Sequence, residues 1–209
     1  MKLFLSSLAI SASQADSFTK LVGKEPKNIK LALIENAADV YDDDSTDWVD
    51  ENREAIKACG YQVEMVDLRD YKDSRTGLRT KLASMDVIWL GGGNTFYLRW
   101  ILRDSGADTI IKELVESGTV YGGGSAGAIV AGPTLKYFED ADNPSDSPEV
   151  ILEGLNLTNK AVVPHIGNAK YGEAMKHIEV SLQKDGYTTI AITDSEAVVF
   201  DGEQQKVIS

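Results

Sequence analysis

One serine stands between glycines in the run from Tyr121 to Ala128, and its spacing could make it a nucleophile. Gly123-Gly124-Ser125-Ala126-Gly127 fits the pattern Gly-x-Ser-x-Gly. In that pattern the chain turns from strand to helix so sharply that only small residues fit beside the serine. The turn lifts the hydroxyl clear of the sheet and leaves the N–H of Ala126, at a helix N-terminus, to hold a developing oxyanion. A phosphate-cradling glycine loop, or a tight turn without chemistry, fits the same five residues.

A serine hydroxyl attacks poorly until a base takes its proton. His165 follows the apolar run Ala161-Val162-Val163, which breaks at Pro164 and delivers the imidazole at a strand end. The other histidine, His177, sits in a helical pattern with a partly exposed face and carries little catalytic weight. The third member should be a carboxylate that orients the ring. Spacing leaves this open between Asp140, in the acidic stretch 138–148, and Asp194 or Glu196, after a late strand. A second glycine run, Gly91-Gly92-Gly93-Asn94-Thr95, follows another apolar strand and opens a helix that Asn94 or Thr95 can cap. Gly93, with Gly92 beside it, is the candidate second oxyanion donor.

These groups need a scaffold that brings strand ends together. Short apolar runs alternate with amphipathic ones along the chain. Strands are expected at 2–6, 29–34, 62–67, 87–91, 119–122, 160–163, 188–192 and 197–200, with 206–208 last. Helices are expected at 13–22, 47–59, 75–83, 95–105, 107–116, 126–131 and 168–183. Such alternation predicts one α/β domain over 1–209, a mostly parallel sheet with helices on both faces. Val87-Ile88-Trp89-Leu90 is apolar throughout, as a strand buried on both sides should be. The final two strands, around Asp201-Gly202, read as an antiparallel hairpin. In an open parallel sheet, ligands collect at the carboxyl ends of the strands, where both glycine runs would lie.

Composition removes several alternatives. With 209 residues, 43% of them apolar, the chain can bury a substantial core. A formal net charge of −12 argues against nucleic acid as a partner. The single cysteine, Cys59, excludes an intrachain disulfide and reads as a packed thiol. Two histidines without metal-ligand spacing give no metal site, and the chemistry calls for no cofactor. The acidic run 41–47 reads as a loop that ends in a helix cap. No apolar stretch approaches the roughly 20 residues that span a bilayer. Leu3-Phe4-Leu5 reads as an inner strand rather than part of a signal peptide, so a cytoplasmic location is expected. A homodimer is the default expectation for its assembly.

The motifs at 88–96, Gly124-Ser125-Ala126-Gly127-Ala128 and Pro164-His165 together resemble the S51 peptidases, the family of aspartyl dipeptidase and cyanophycinase. The likeness runs from the first strand to Phe200. It implies a three-layer, class I glutamine-amidotransferase-like (flavodoxin-like) fold and a serine peptidase acting next to an aspartyl residue of a small peptide. By motif, Ser125 is implied as nucleophile and His165 as general base. The run from Gly132-Pro133-Thr134 to Asp140 follows the serine as in aspartyl dipeptidase, which implies Asp140 as the acid. In cyanophycinase-like members a late glutamate serves, and Asp194 stands at the matching position. An aspartyl substrate needs a fixed cation, for which Lys136, Arg99 and Lys170 are the candidates. The rival readings are a non-catalytic protein whose glycine loops bind a small anion, and an esterase or amidase using the same groups.

Overall fold

The computed structural model describes residues 1–42 and 46–209, so the middle of the acidic run expected over 41–47 lies outside the described residues. In chain order the elements are β1 (Lys2–Ser6), α1 (Ala15–Val22), β2 (Lys30–Ile34), α2 (Asp47–Ala58), β3 (Gln62–Met65), α3 (Arg75–Ala83), β4 (Val87–Leu90), α4 (Thr95–Asp104), α5 (Ala107–Glu116) and β5 (Val120–Gly124). They continue with α6 (Ala126–Val130), β6 (Lys160–Val163), α7 (Gly172–Lys184), β7 (Thr188–Ala191), β8 (Ala197–Asp201) and β9 (Gln204–Ile208). Seven strands form the main sheet in the order β3-β2-β4-β5-β1-β8-β9. The first five are parallel, while β8 and β9 add an antiparallel edge.

The apolar strands are explained by two cores, one on each face. Alternate residues of a strand point to opposite sides. Leu3 and Leu5, Ala32 and Ile34, Ile88 and Leu90, and Tyr121 join α3 to α7 in one core. Phe4, Leu31, Leu33, Val87, Trp89 and Val120 join α1 and α2 in the other. In the second core the rings of Phe4 and Phe18 meet edge-on at 5.1 Å, and Phe18 meets Trp89 at 5.9 Å. Burying each such ring contributes about 1.5–3 kcal/mol. The three-layer arrangement expected from the alternation is present.

Two details differ from the single sheet and helix bounds read from the sequence. β6 and β7 do not join the main sheet; they form their own parallel pair with Val163 opposite Ala191. The helix expected over 168–183 begins only at Gly172. The Asn168 side chain instead accepts hydrogen bonds from the N–H groups of Lys170 (2.8 Å) and Tyr171 (3.1 Å), a local turn that competes with helix. Among the described residues, no helix is long and apolar enough to cross a membrane.

Candidate active site

Ser125 joins β5 to α6 in a conformation that side chains rarely adopt, φ 50° and ψ −111°. Such backbone costs on the order of 1–3 kcal/mol and persists only when its surroundings hold it. Here the Ser125 N–H donates to the Ser6 carbonyl at 3.1 Å. The buried Tyr121 hydroxyl donates to the Gly127 carbonyl at 2.6 Å. The flanking glycines are needed because backbone passes where a Cβ would be. A Cβ on Gly127 would lie 2.1 Å from the Leu90 carbonyl oxygen, and one on Gly123 would lie 2.4 Å from the Gly127 oxygen. Gly127→Ala should therefore destabilise the fold by about 2–4 kcal/mol, by the overpacking route. Chemical denaturation of the purified variant measures this, and a loss under 0.5 kcal/mol would refute the close packing.

His165 ends β6 and reaches the serine. Its Nε2 lies 2.9 Å from Ser125 Oγ, within hydrogen-bond distance of the hydroxyl. Its Nδ1 lies 2.6 Å from Asp194 Oδ1, which follows β7. The parallel pairing of β6 with β7 brings these two strand ends together. His165 itself is buried, has φ 61°, and packs its ring 5.4 Å from that of Tyr171.

Asp140, the acid implied by the resemblance, is elsewhere. Phe138 buries its ring completely, and the short turn after it carries Asp140 to the outer face of α7. There Asp140 Oδ2 lies 2.6 Å from Nδ1 of the exposed His177. The acid beside His165 is the alternative, Asp194. Glu196 is not at the ring either; it accepts from the N–H and hydroxyl of Thr193 in the turn before β8.

Two residues that support Asp194 were not singled out from the sequence. The Ser7 hydroxyl donates to Asp194 Oδ1 at 2.7 Å and accepts the His165 N–H at 2.9 Å. Asn168 donates to Asp194 Oδ2 at 2.6 Å. Burial pushes the Asp194 carboxyl up, but the hydrogen bonds from Asn168, Ser7 and His165 outweigh it, leaving the carboxyl below its ordinary range. A polar pair, Ser6-Ser7, closing the apolar inner strand at its carboxyl end was the available sequence signal.

The two glycine runs meet at the serine. A Cβ on Gly92 would touch the Ser125 Cβ at 3.2 Å, so Gly92 lies directly against Ser125. Gly93, at φ 135°, packs against the Ala37 carbonyl, where no side chain fits. Ala126 opens α6, whose first N–H groups have no intrahelical partner. The start of α4 is already occupied. Asn94 caps it by accepting from the N–H groups of Phe96 and Tyr97, and Asp142 Oδ2 accepts the Thr95 N–H at 2.9 Å. Burial raises the Asp142 carboxyl, with the Thr95 hydrogen bonds opposing. The acidic stretch 138–148 is thus tied down on the protein. The Asp142 carboxylate occupies the start of α4, beside one of the two glycine runs that the anion-binding reading would use.

A cleft of about 450 Å³ opens over Ser125 and His165. Of the sequence-chosen cations, only Lys170 borders it, with its ammonium 4.7 Å over the Tyr171 ring. Arg99 is buried and spent on the Glu153 carbonyl and Asp108, and Lys136 faces Asp185 on the surface. Arg53, which the sequence reading passed over, also lines the cleft. Cys59 lies apart, half-buried, with its thiol raised by burial.

Residues 5–208 match the family described as Peptidase family S51. The chain is 32% identical over 178 residues to an uncharacterized peptidase of Pasteurella multocida, covering 85% of this chain and 83% of that protein. It is 30% identical over 160 residues to an uncharacterized peptidase of Listeria monocytogenes, covering 76% and 77%. A 1.5 Å crystal structure of a candidate peptidase E protein from Listeria monocytogenes superposes with a TM-score of 0.84 at 28% identity, covering 99% of this chain and 97% of that one.

Proposed function

Because the chain belongs to peptidase family S51 and is a serine-type hydrolase, we propose that it cleaves short peptides through a Ser125-His165-Asp194 triad. The carrying observation is the unbroken line from Ser125 Oγ through both ring nitrogens of His165 to Asp194, with contacts of 2.9 and 2.6 Å. Nδ1–H directed at the carboxylate leaves Nε2 free to accept the serine proton. Ser125 Oγ attacks the scissile carbonyl as Nε2 takes its proton, and Asp194 stabilises the imidazolium that results. The N–H groups of Ala126 and of Gly92 or Gly93 hold the oxyanion. His165 then protonates the departing amine. It next takes a proton from the water that attacks the acyl-enzyme and returns it to Ser125 Oγ as the acid leaves, restoring both residues.

The size of the cleft favours short peptides over folded chains. An N-terminal aspartyl residue, the substrate implied by the resemblance, would find Lys170 at the rim. The esterase reading uses the same steps with a different leaving group, and family membership favours the peptide bond. An alkyl fluorophosphonate should label the protein once, on Ser125, as read by intact mass and peptide mapping. Labelling at any other residue, or none at all, would remove Ser125 from the role of nucleophile.

A further inference from the structure

Beside α2 the cleft has an apolar part, bordered by the polar Asn52, Arg53 and Glu35. Trp48, Val49 and Ile56 of α2 line it together with the buried Leu33 and Trp89. Trp48 is close to the chemistry, since a Cβ on Gly92 would lie 3.6 Å from its six-membered ring and 3.2 Å from the Ser125 Cβ. Tyr41 meets the Trp48 ring edge-on at 6.2 Å. A side chain reaching past Gly92 from the scissile bond would enter this apolar space.

The charge in the same region does not suit an acidic side chain. Arg53 is the cation nearest this wall, and its fork is occupied. Nη2 and Nε hold the Glu35 carboxylate at 2.6 and 3.0 Å, and Nη1 holds Asp50 at 2.6 Å. Two carboxylates on one guanidinium leave the cluster net negative, and Asp142 adds another carboxylate to the cleft. Among the described residues of this wall, an incoming carboxylate would lose its water and meet no guanidinium free of a carboxylate, because the ammonium of Lys170 lies over Tyr171 on the His165 side of the cleft. An apolar side chain meets neither cost.

Resting on the serine-peptidase reading, we propose that the residue bordering the scissile bond carries a large apolar side chain, an aromatic one above all, that lies against Trp48 on the α2 side of the cleft. Glu35 contributes by holding Arg53 away from acidic substrates.

Binding and turnover test this separately. Calorimetric titration of the Ser125→Ala protein with Phe-Gly and Gly-Phe should give a better ligand than either Asp-Gly or Gly-Asp by about 10- to 100-fold, the value of burying one aromatic ring. Wild-type kcat/KM should favour the same peptides. Trp48→Ala should shrink the Phe-to-Asp preference toward unity. Glu35→Gln should release Arg53 and raise affinity for the aspartyl peptides several-fold, a gain that misfolding cannot imitate. Equal or tighter binding of the aspartyl peptides to Ser125→Ala would overturn the proposal, as would unchanged aspartyl affinity in Glu35→Gln. Turnover of aspartyl peptides alone would keep the triad and discard the apolar subsite. Tight binding of phenylalanyl peptides without turnover would do the reverse.

Discussion

Ser125→Ala is expected to lower peptide turnover at least about 10⁴-fold while the protein keeps its fold. Removing the nucleophile of a serine triad abolishes acyl-enzyme formation, and what survives comes from oxyanion stabilisation and binding alone. The fold should not suffer, because Ser125 holds its place through backbone: its N–H meets the Ser6 carbonyl, and its carbonyl accepts from Ala128 and Ile129. Alanine keeps all three. The φ of 50° is no easier for alanine than for serine, so stability should change by less than about 1 kcal/mol. Steady-state kinetics on a cleaved peptide, with thermal unfolding of the same preparation, checks both halves. Full activity in this variant would end the proposed mechanism.

The second large effect separates two aspartates. Asp194→Asn should cost about 10³- to 10⁴-fold in kcat, because an amide at Nδ1 no longer selects the ring tautomer or stabilises the imidazolium. KM should change little, since Asp194 acts through His165, Ser7 and Asn168, which line the cleft, rather than touching the substrate itself. Asp140→Asn should stay within about 2-fold of wild type, because the Asp140 carboxylate lies against the exposed His177 rather than against His165. The opposite ranking would restore Asp140 to the triad and contradict the strand pairing described above. The sign of any pH effect follows from the lowered Asp194 carboxyl. A carboxyl held below its unfolded value contributes stability that is present above that value and lost as pH falls through the folded one. Asp194 therefore stays ionised throughout neutral and mildly acidic solution, and loss of activity there does not come from its protonation.

Much of the scaffold was legible because it is written in short-range patterns. The alternating cores explain why Val87 to Leu90 is apolar throughout, and the turn at Gly202 delivers the expected hairpin. Ser125 was legible for the same reason: strand, elbow and helix are contiguous, and the glycines mark where backbone crowds backbone. His165 was legible as a strand end broken by proline. The start of α7 was misjudged because the turn at Asn168 depends on one side chain accepting from the next backbone groups.

The acid was a different kind of question. Asp140 and Asp194 both follow plausible positions in the chain, and each lies near a histidine, but near different ones. Which strand lies beside β6 decides the matter, and apolar residues at 160–163 and 188–192 do not announce their partner. The contacts of Ser7 span 158 residues to His165 and 187 to Asp194. The pairing of Arg53 with Glu35, 18 residues away, is likewise a product of folding.

By itself the amino-acid order determined an alternating α/β chain, a serine in an elbow and a histidine at a strand end, because local backbone sterics and two-residue periodicity act over a few residues. Tertiary structure alone set Asp194 rather than Asp140 beside His165, joined Ser7 and Asn168 to it and gathered apolar residues on the α2 side of the cleft. Those outcomes depend on which distant strands pair and which charges neutralise one another, and neither is encoded in the spacing of neighbours.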